Sequence, residues 1–150
     1  LLPQLATEEI VLRGQSGVLA VSGDDDYPYA VPLSYAYDAG TIYVHCATTG
    51  HKLDGIKRNS KVSFCVIDKD DIIPEKFTTS FRSAIVFGKA SILTDDAAKQ
   101  HALELLVRKY SAGYEKEGDT EIRKTWHAVC VVEITVEHMT GKEATELVQQ

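Results

Sequence analysis

The chain has 150 residues, 44% hydrophobic and 25% charged, with a formal net charge of −6. That length and composition suit a single globular domain over residues 1–150 with a sizeable core. The acidic balance argues against a general nucleic-acid binder, and no apolar run approaches the roughly 20 residues of a membrane helix, so neither nucleic acid nor membrane is an expected partner.

Thr7-Glu8-Glu9-Ile10 predicts a helix start with a capping threonine and acids in the first turn, ended by Gly14. Gly17 to Ser22 is a short apolar strand, followed by a Gly-Asp-Asp-Asp turn. Tyr27 to Tyr37 alternates strictly. The bulky Tyr27, Tyr29, Val31, Leu33, Tyr35 and Tyr37 share one face, and the small Pro28, Ala30, Pro32, Ser34 and Ala36 share the other. Pro32 has no N–H for a ladder and marks an edge, a bulge or a ligand site. Asp38-Ala39-Gly40 turns the chain into a strand from Thr41 to Cys46.

Lys61 to Asp68 is a third long strand, and Lys69 to Lys76 is expected as a loop. Phe77 to Leu93 is a strand long enough to need the bend that Gly88 offers. Thr94-Asp95-Asp96 caps a helix whose apolar stripe is Ala98, Ala102, Leu105 and Leu106. Gly113 to Gly118 reads as a linker, Asp119 to Trp126 as a short helix, and His127 to Val136 as the last strand, with a peripheral tail after His138. Strands joined mostly by hairpins, with helices inserted, predict an antiparallel barrel carrying helices outside it. Cys46, Cys65 and Cys130 are odd in number, lack zinc spacing and lie in apolar strands, which suits free thiols in a reducing cytoplasm.

The stretch from His45 to Val62 carries the chemistry. A strand runs into Ala47-Thr48-Thr49-Gly50 and then into a short basic helix from His51 to Arg58. Helix-start amides lack intrahelical partners and the peptide dipoles point their positive end there, so a phosphate fits. Thr48 and Thr49 add hydroxyls and Lys52 adds a charge. A plain strand–helix–strand connection, with a threonine cap and a solvated lysine, reads the same residues equally well. Neither GxGxxG nor GxxxxGK[ST] is present.

Tyr27-Pro28-Tyr29-Ala30-Val31-Pro32-Leu33-Ser34, Ile42-Tyr43-Val44-His45-Cys46-Ala47, Gly50-His51-Lys52-Leu53-Asp54 and Asn59-Ser60-Lys61-Val62-Ser63-Phe64 resemble the pyridoxamine 5′-phosphate oxidase-like split-barrel flavoproteins. With Phe81 to Ala90 added, the resemblance is closest to the 5-nitroimidazole resistance branch. It implies a mainly β fold with peripheral helices, a six-stranded antiparallel split barrel, and a homodimer with FMN at its interface. It implies a flavin ring along Pro32, Leu33 and Ser34 with Ala47 near it. The phosphate would lie at the Gly50-His51-Lys52-Leu53 helix start, beside the Thr48 and Thr49 hydroxyls, with Arg82 and Ser83 as further cofactor contacts. It also implies His45 as a catalytic or substrate-binding residue. The activity implied is an FMN-dependent oxidoreductase passing electrons to a small-molecule acceptor such as a nitro-aromatic. A non-enzymatic flavin, deazaflavin or haem module is the alternative. No metal site is expected.

Overall fold

Helices and strands follow one another along residues 1–144, the residues that the computed structural model describes. Their order is α1 (Gln4–Arg13), β1 (Gly17–Ser22), β2 (Pro28–Leu33), β3 (Ala36–Asp38), β4 (Thr41–Ala47), α2 (His51–Arg58), β5 (Lys61–Ile73), β6 (Thr78–Ile92), α3 (Asp96–Tyr110), α4 (Glu115–Thr125) and β7 (Val129–Glu143). The strands form one sheet in the order β2-β1-β5-β6-β7-β4-β3. Every neighbouring pair in it is antiparallel.

The two edge strands of that sheet are consecutive in the chain. Only Ser34 and Tyr35 separate β2 from β3. An extended chain spans at most ~3.6 Å per residue, so Leu33 and Ala36 lie within about 11 Å of each other. The sheet must therefore curl until its edges meet across a seam that no ladder closes. This is a split barrel, mainly β, with the helices outside and at its ends.

Alternation fills the barrel. Leu19, Val44, Phe64, Val66, Val86 and Ile134 point inward and are fully buried. Ile10 and Val11 of α1 plug one end, and Leu53 and Ile56 of α2 plug the other. Gly55 lies so close to Val21 and the Ser22 carbonyl that a Cβ there would displace them. A second cluster, including Ala36, Ala102, Leu106, Ile122 and Val131, seats α3 and α4 on the outside of the sheet.

Tyr35 pins the seam. Its side chain is fully buried, edge-on to Phe64, and its hydroxyl donates to the Val11 carbonyl. Tyr110 accepts from the Tyr35 N–H at 3.0 Å, and the Lys109 ammonium donates to the Tyr35 carbonyl at 2.9 Å. Thus α1 and α3 together hold the crossover.

Several boundaries differ from expectation. The expected strand over Tyr27–Tyr37 breaks at Ser34 and Tyr35, so the sheet has seven strands rather than six. Helix α1 starts at Gln4 behind Pro3, and Thr7 is a buried interior residue whose hydroxyl donates to the Pro3 carbonyl. Residues 69–73 extend β5 against β6 instead of looping: past a register shift between Ile67 and Lys69 the pairing resumes, and cross-strand pairs stabilise even a polar run. Helix α4 begins at Glu115, inside the expected linker. The last strand continues to Glu143, burying Met139 and pairing with β6. The rest of the expected tail, residues 145–150, lies outside the described residues. Gly88 does mark a register shift, between β6 and β7, where a side chain would strike the Thr135 carbonyl.

Candidate functional site

The seam has two banks. On β2, Val31 and Leu33 pack against the core, while Ala30 and Pro32 face outward and are exposed, as is Ser34 just after the strand. As an edge strand, β2 can hold Pro32 without losing an inner ladder bond. On β4, Ile42 and Val44 face inward, and His45 and Ala47 face out on the other bank. Ala47 pairs with Val129 of β7 and leads into Thr48 and Thr49, both exposed.

Helix α2 begins without a side-chain cap. Gly50 precedes it at φ 146°, a conformation glycine adopts easily, and the first intrahelical bond runs from Asp54 N–H to the Gly50 carbonyl at 3.1 Å. The amides of His51, Lys52 and Leu53 are therefore left without intrahelical partners. The threonines do not cap the helix. Lys52 is half-buried, and its charge acts on the Cys46 thiol. His51 is partly engaged elsewhere, with Nδ1 3.2 Å from the Asp24 carboxylate, which also meets Arg58 at 3.3 Å.

The banks meet at both ends of the seam. Tyr29 of β2 lies 5.9 Å from His51, ring centroid to ring centroid. At the other end Ser34 and His45 line a common cavity of about 810 Å³ beneath α3 and α4. Leu103, Leu106, Ile122 and Val129 make its apolar wall, and Tyr110 and Tyr114 stand at it. Burial lowers the pKa of His45, so its imidazole is neutral near pH 7.

Sequence reasoning offers Ser34 and His45 as candidates, which the structure sets on one cavity, but not the two tyrosines or Ile122 beside them. Tyr110 and Tyr114 fall at a helix end and in a turn, where periodicity carries no signal. Arg82 and Ser83 lie apart from the α2 start. The Arg82 Nε–H donates to Asp68 at 2.8 Å, and Asp68 also holds Arg13 at 2.7 Å. Ser83 stands opposite Ile67 and Lys142, at the far end of β7 from Val129.

One further face is open. Val18, Ile85 and Phe87 are each more than a third exposed on the outer surface of β1 and β6, with Ile67 beside them. A groove of about 450 Å³ runs between Ala20, Ser63, Phe87 and Lys61 on that face. Among the described residues, no cluster of three or more His, Cys, Asp or Glu side chains is arranged to hold a metal, and no helix is long and apolar enough to cross a membrane.

The likeness to known proteins covers the chain. A candidate 5-nitroimidazole antibiotic resistance protein from Bacteroides thetaiotaomicron superposes with a TM-score of 0.74 at 24% identity, over 94% of this chain and 84% of that one. A conserved hypothetical protein from Mycobacterium tuberculosis reaches 0.83 at 20% identity, over 99% and 89%. An FAD-binding protein from Mesorhizobium loti reaches 0.68 at 24% identity, over 96% of each chain. No curated protein sequence matches. The family model described as pyridoxamine 5′-phosphate oxidase matches residues 4–143, and the chain belongs to that family.

Proposed function

We propose that the protein binds FMN in the seam and passes electrons from the reduced flavin to a small acceptor such as a nitro-aromatic. The observation that carries this reading is the meeting of β2 with the β4–α2 segment at both ends of the seam, through Tyr29 and His51 and through Ser34 and His45. The residues fit the group. The outward face of β2 and the residue after it is built of Ala30, Pro32 and Ser34, small enough for a flat ring, and Ala47 continues the space on the other bank. The uncapped α2 start offers the amides of His51, Lys52 and Leu53 to a phosphate, and Thr48, Thr49 and the Lys52 ammonium add to them.

The flavin supplies the two-electron chemistry, and the chain binds, orients and protects. The neutral His45 imidazole, in the cavity where an acceptor would enter, holds or relays a proton at a nitrogen. The apolar wall under α3 and α4 excludes water. The FAD-binding and nitroimidazole-resistance relatives lend support at the level of fold.

The working form in this reading is a homodimer in the cytoplasm. Val18, Ile67, Ile85 and Phe87 form an apolar face of the kind that marks interaction sites. Ser83 pairs with Ile67 at the border of this face, so in a dimer formed through it Arg82 and Ser83 would lie at the interface.

The test is the absorption spectrum of the purified protein with added FMN, followed by anaerobic mixing of the reduced complex with a nitro-aromatic. A bound-flavin spectrum and reoxidation by the acceptor support the proposal. A haem or deazaflavin spectrum would replace the cofactor, and bound FMN without reoxidation would leave a carrier.

A further inference from the structure

Cys46 and Cys130 stand directly opposite each other on the antiparallel strands β4 and β7. Opposed residues of such a pair point to the same side of the sheet with Cα atoms ~4.5–5.5 Å apart, within the roughly 4.4–6.8 Å that a disulfide spans. Both side chains pack against the barrel core, both are half-buried, and both are free thiols. The third cysteine differs. Cys65 lies on β5 between Val18 and Ile85, on the outer face of the sheet.

We propose that Cys46 and Cys130 are a dithiol–disulfide site, oxidised by a peroxide. The Cys46 thiolate attacks the peroxide, forming an S–O bond as the O–O bond breaks and one water or alcohol leaves. Cys130 then attacks that sulfur, the S–S bond forms, and the hydroxyl leaves as a second water with the thiol's proton. Two thiols are oxidised by two electrons and one peroxide is reduced. The bond would tie the end of β4 to the start of β7, beside the Ala47–Val129 pair, the last before the turn into α2. The redox state of the pair would thus set how firmly the α2 start is held.

Two neighbours oppose each other at this site. Burial, and then Cys130, push the Cys46 thiol up to about 11, whereas the Lys52 ammonium pulls it down. Oxidation therefore runs faster as pH rises, because the thiolate is the nucleophile.

The experiment treats the full chain with hydrogen peroxide at pH 7 and pH 9, blocks remaining thiols by alkylation, and maps the peptides by mass spectrometry. The expected result is a Cys46–Cys130 peptide lighter by two hydrogens and reversible by dithiothreitol. Cys65 stays alkylated, and the rate is about tenfold or more greater at pH 9. The Cys130→Ser variant should accumulate a sulfenic acid on Cys46 that dimedone traps. Loss of Cys65 first, a bridge through Cys65, or survival of both Cys46 and Cys130 as thiols at pH 9 would overturn the proposal. The wild-type peptide map decides this without any variant or cofactor, so it stands apart from the flavin reading.

Discussion

Tyr29 of β2 and His51 of α2 stand with ring centroids 5.9 Å apart and planes tilted by 47°. They are 22 positions apart in sequence (51 − 29), with β3 and β4 between them in the chain, and they meet because α2 packs back onto β1 and β2. Their contact sets the α2 start against β2, on the side of Tyr29, Val31 and Leu33. Asp24 holds His51 and Arg58 from the loop before β2, so that the helix start is tied to β2's side of the seam.

His45 lies in the cavity with a neutral imidazole. His45→Ala should leave FMN bound and slow acceptor reduction by roughly 10²–10⁴-fold, the usual contribution of a proton-transfer group. Stopped-flow reoxidation of the reduced protein measures this. An unchanged rate with every acceptor the wild type reduces would leave His45 as a wall residue only.

The face bearing Ile85 and Phe87 should pair with a second copy. Ile85→Glu places a charge where the side chain is already 38% exposed, so the monomer should fold while the dimer and tight flavin binding are lost together. Sedimentation and flavin titration read both. A wild-type protein that sediments as a monomer with FMN fully bound would refute the shared site.

Lys109 gives a pH dependence with a definite sign. Its ammonium sits 3.6 Å from the Tyr35 ring centroid, and burial lowers its pKa from 10.5 to about 8. The folded chain gives up this proton near pH 8, while the unfolded chain keeps it to about pH 10.4. Between these values the unfolded state binds more protons, so the Lys109 contribution to stability rises with pH. Cys46 acts oppositely, since its raised thiol stays protonated after the unfolded one ionises. The informative quantity is therefore the stability of wild type minus that of Lys109→Met, from urea unfolding. It should climb from pH 8 to pH 10, and a flat difference would contradict the assignment.

Asp68 joins Arg13 of α1 to Arg82 of β6, and the Arg13 hydrogen bond is the first cause holding its carboxyl below the usual range. That stabilisation is present above the unfolded carboxyl's pKa and disappears as pH falls through the folded one. Asp68→Asn should cost about 1–2 kcal/mol at neutral pH, with the arginines partly solvated, and less near pH 2. Equal losses at both pH values would mean that the side chain acts by packing.

Much of this arrangement was legible in the sequence because its signals are local. Alternation put Val31 and Leu33 on one face and Pro32 and Ser34 on the other, which the fold turns inward and outward, and Asp95 caps α3 by accepting from the Ala98 N–H as its position suggested. What escaped depends on distant partners. Tyr35 breaks its strand because Val11, Tyr110 and Lys109 capture it, and none of these is near it in sequence. Residues 69–73 are a strand because β6 pairs with them, which composition does not reveal. Arg82 stands in the sequence as a candidate cofactor contact, and only the fold discloses its partner Asp68.

Lys52 tests the central claim most directly. If the uncapped start of α2 holds a phosphate, Lys52→Ala removes a charge-assisted contact of roughly 1.5–3 kcal/mol, and FMN affinity falls about 10- to 100-fold. Riboflavin lacks the phosphate, so its affinity should hardly change. The measurement is the ratio of FMN to riboflavin dissociation constants in wild type and variant, which cancels general damage to the fold. The account predicts that this ratio rises by one to two powers of ten, whereas an unchanged ratio, with equal losses or none, would contradict it.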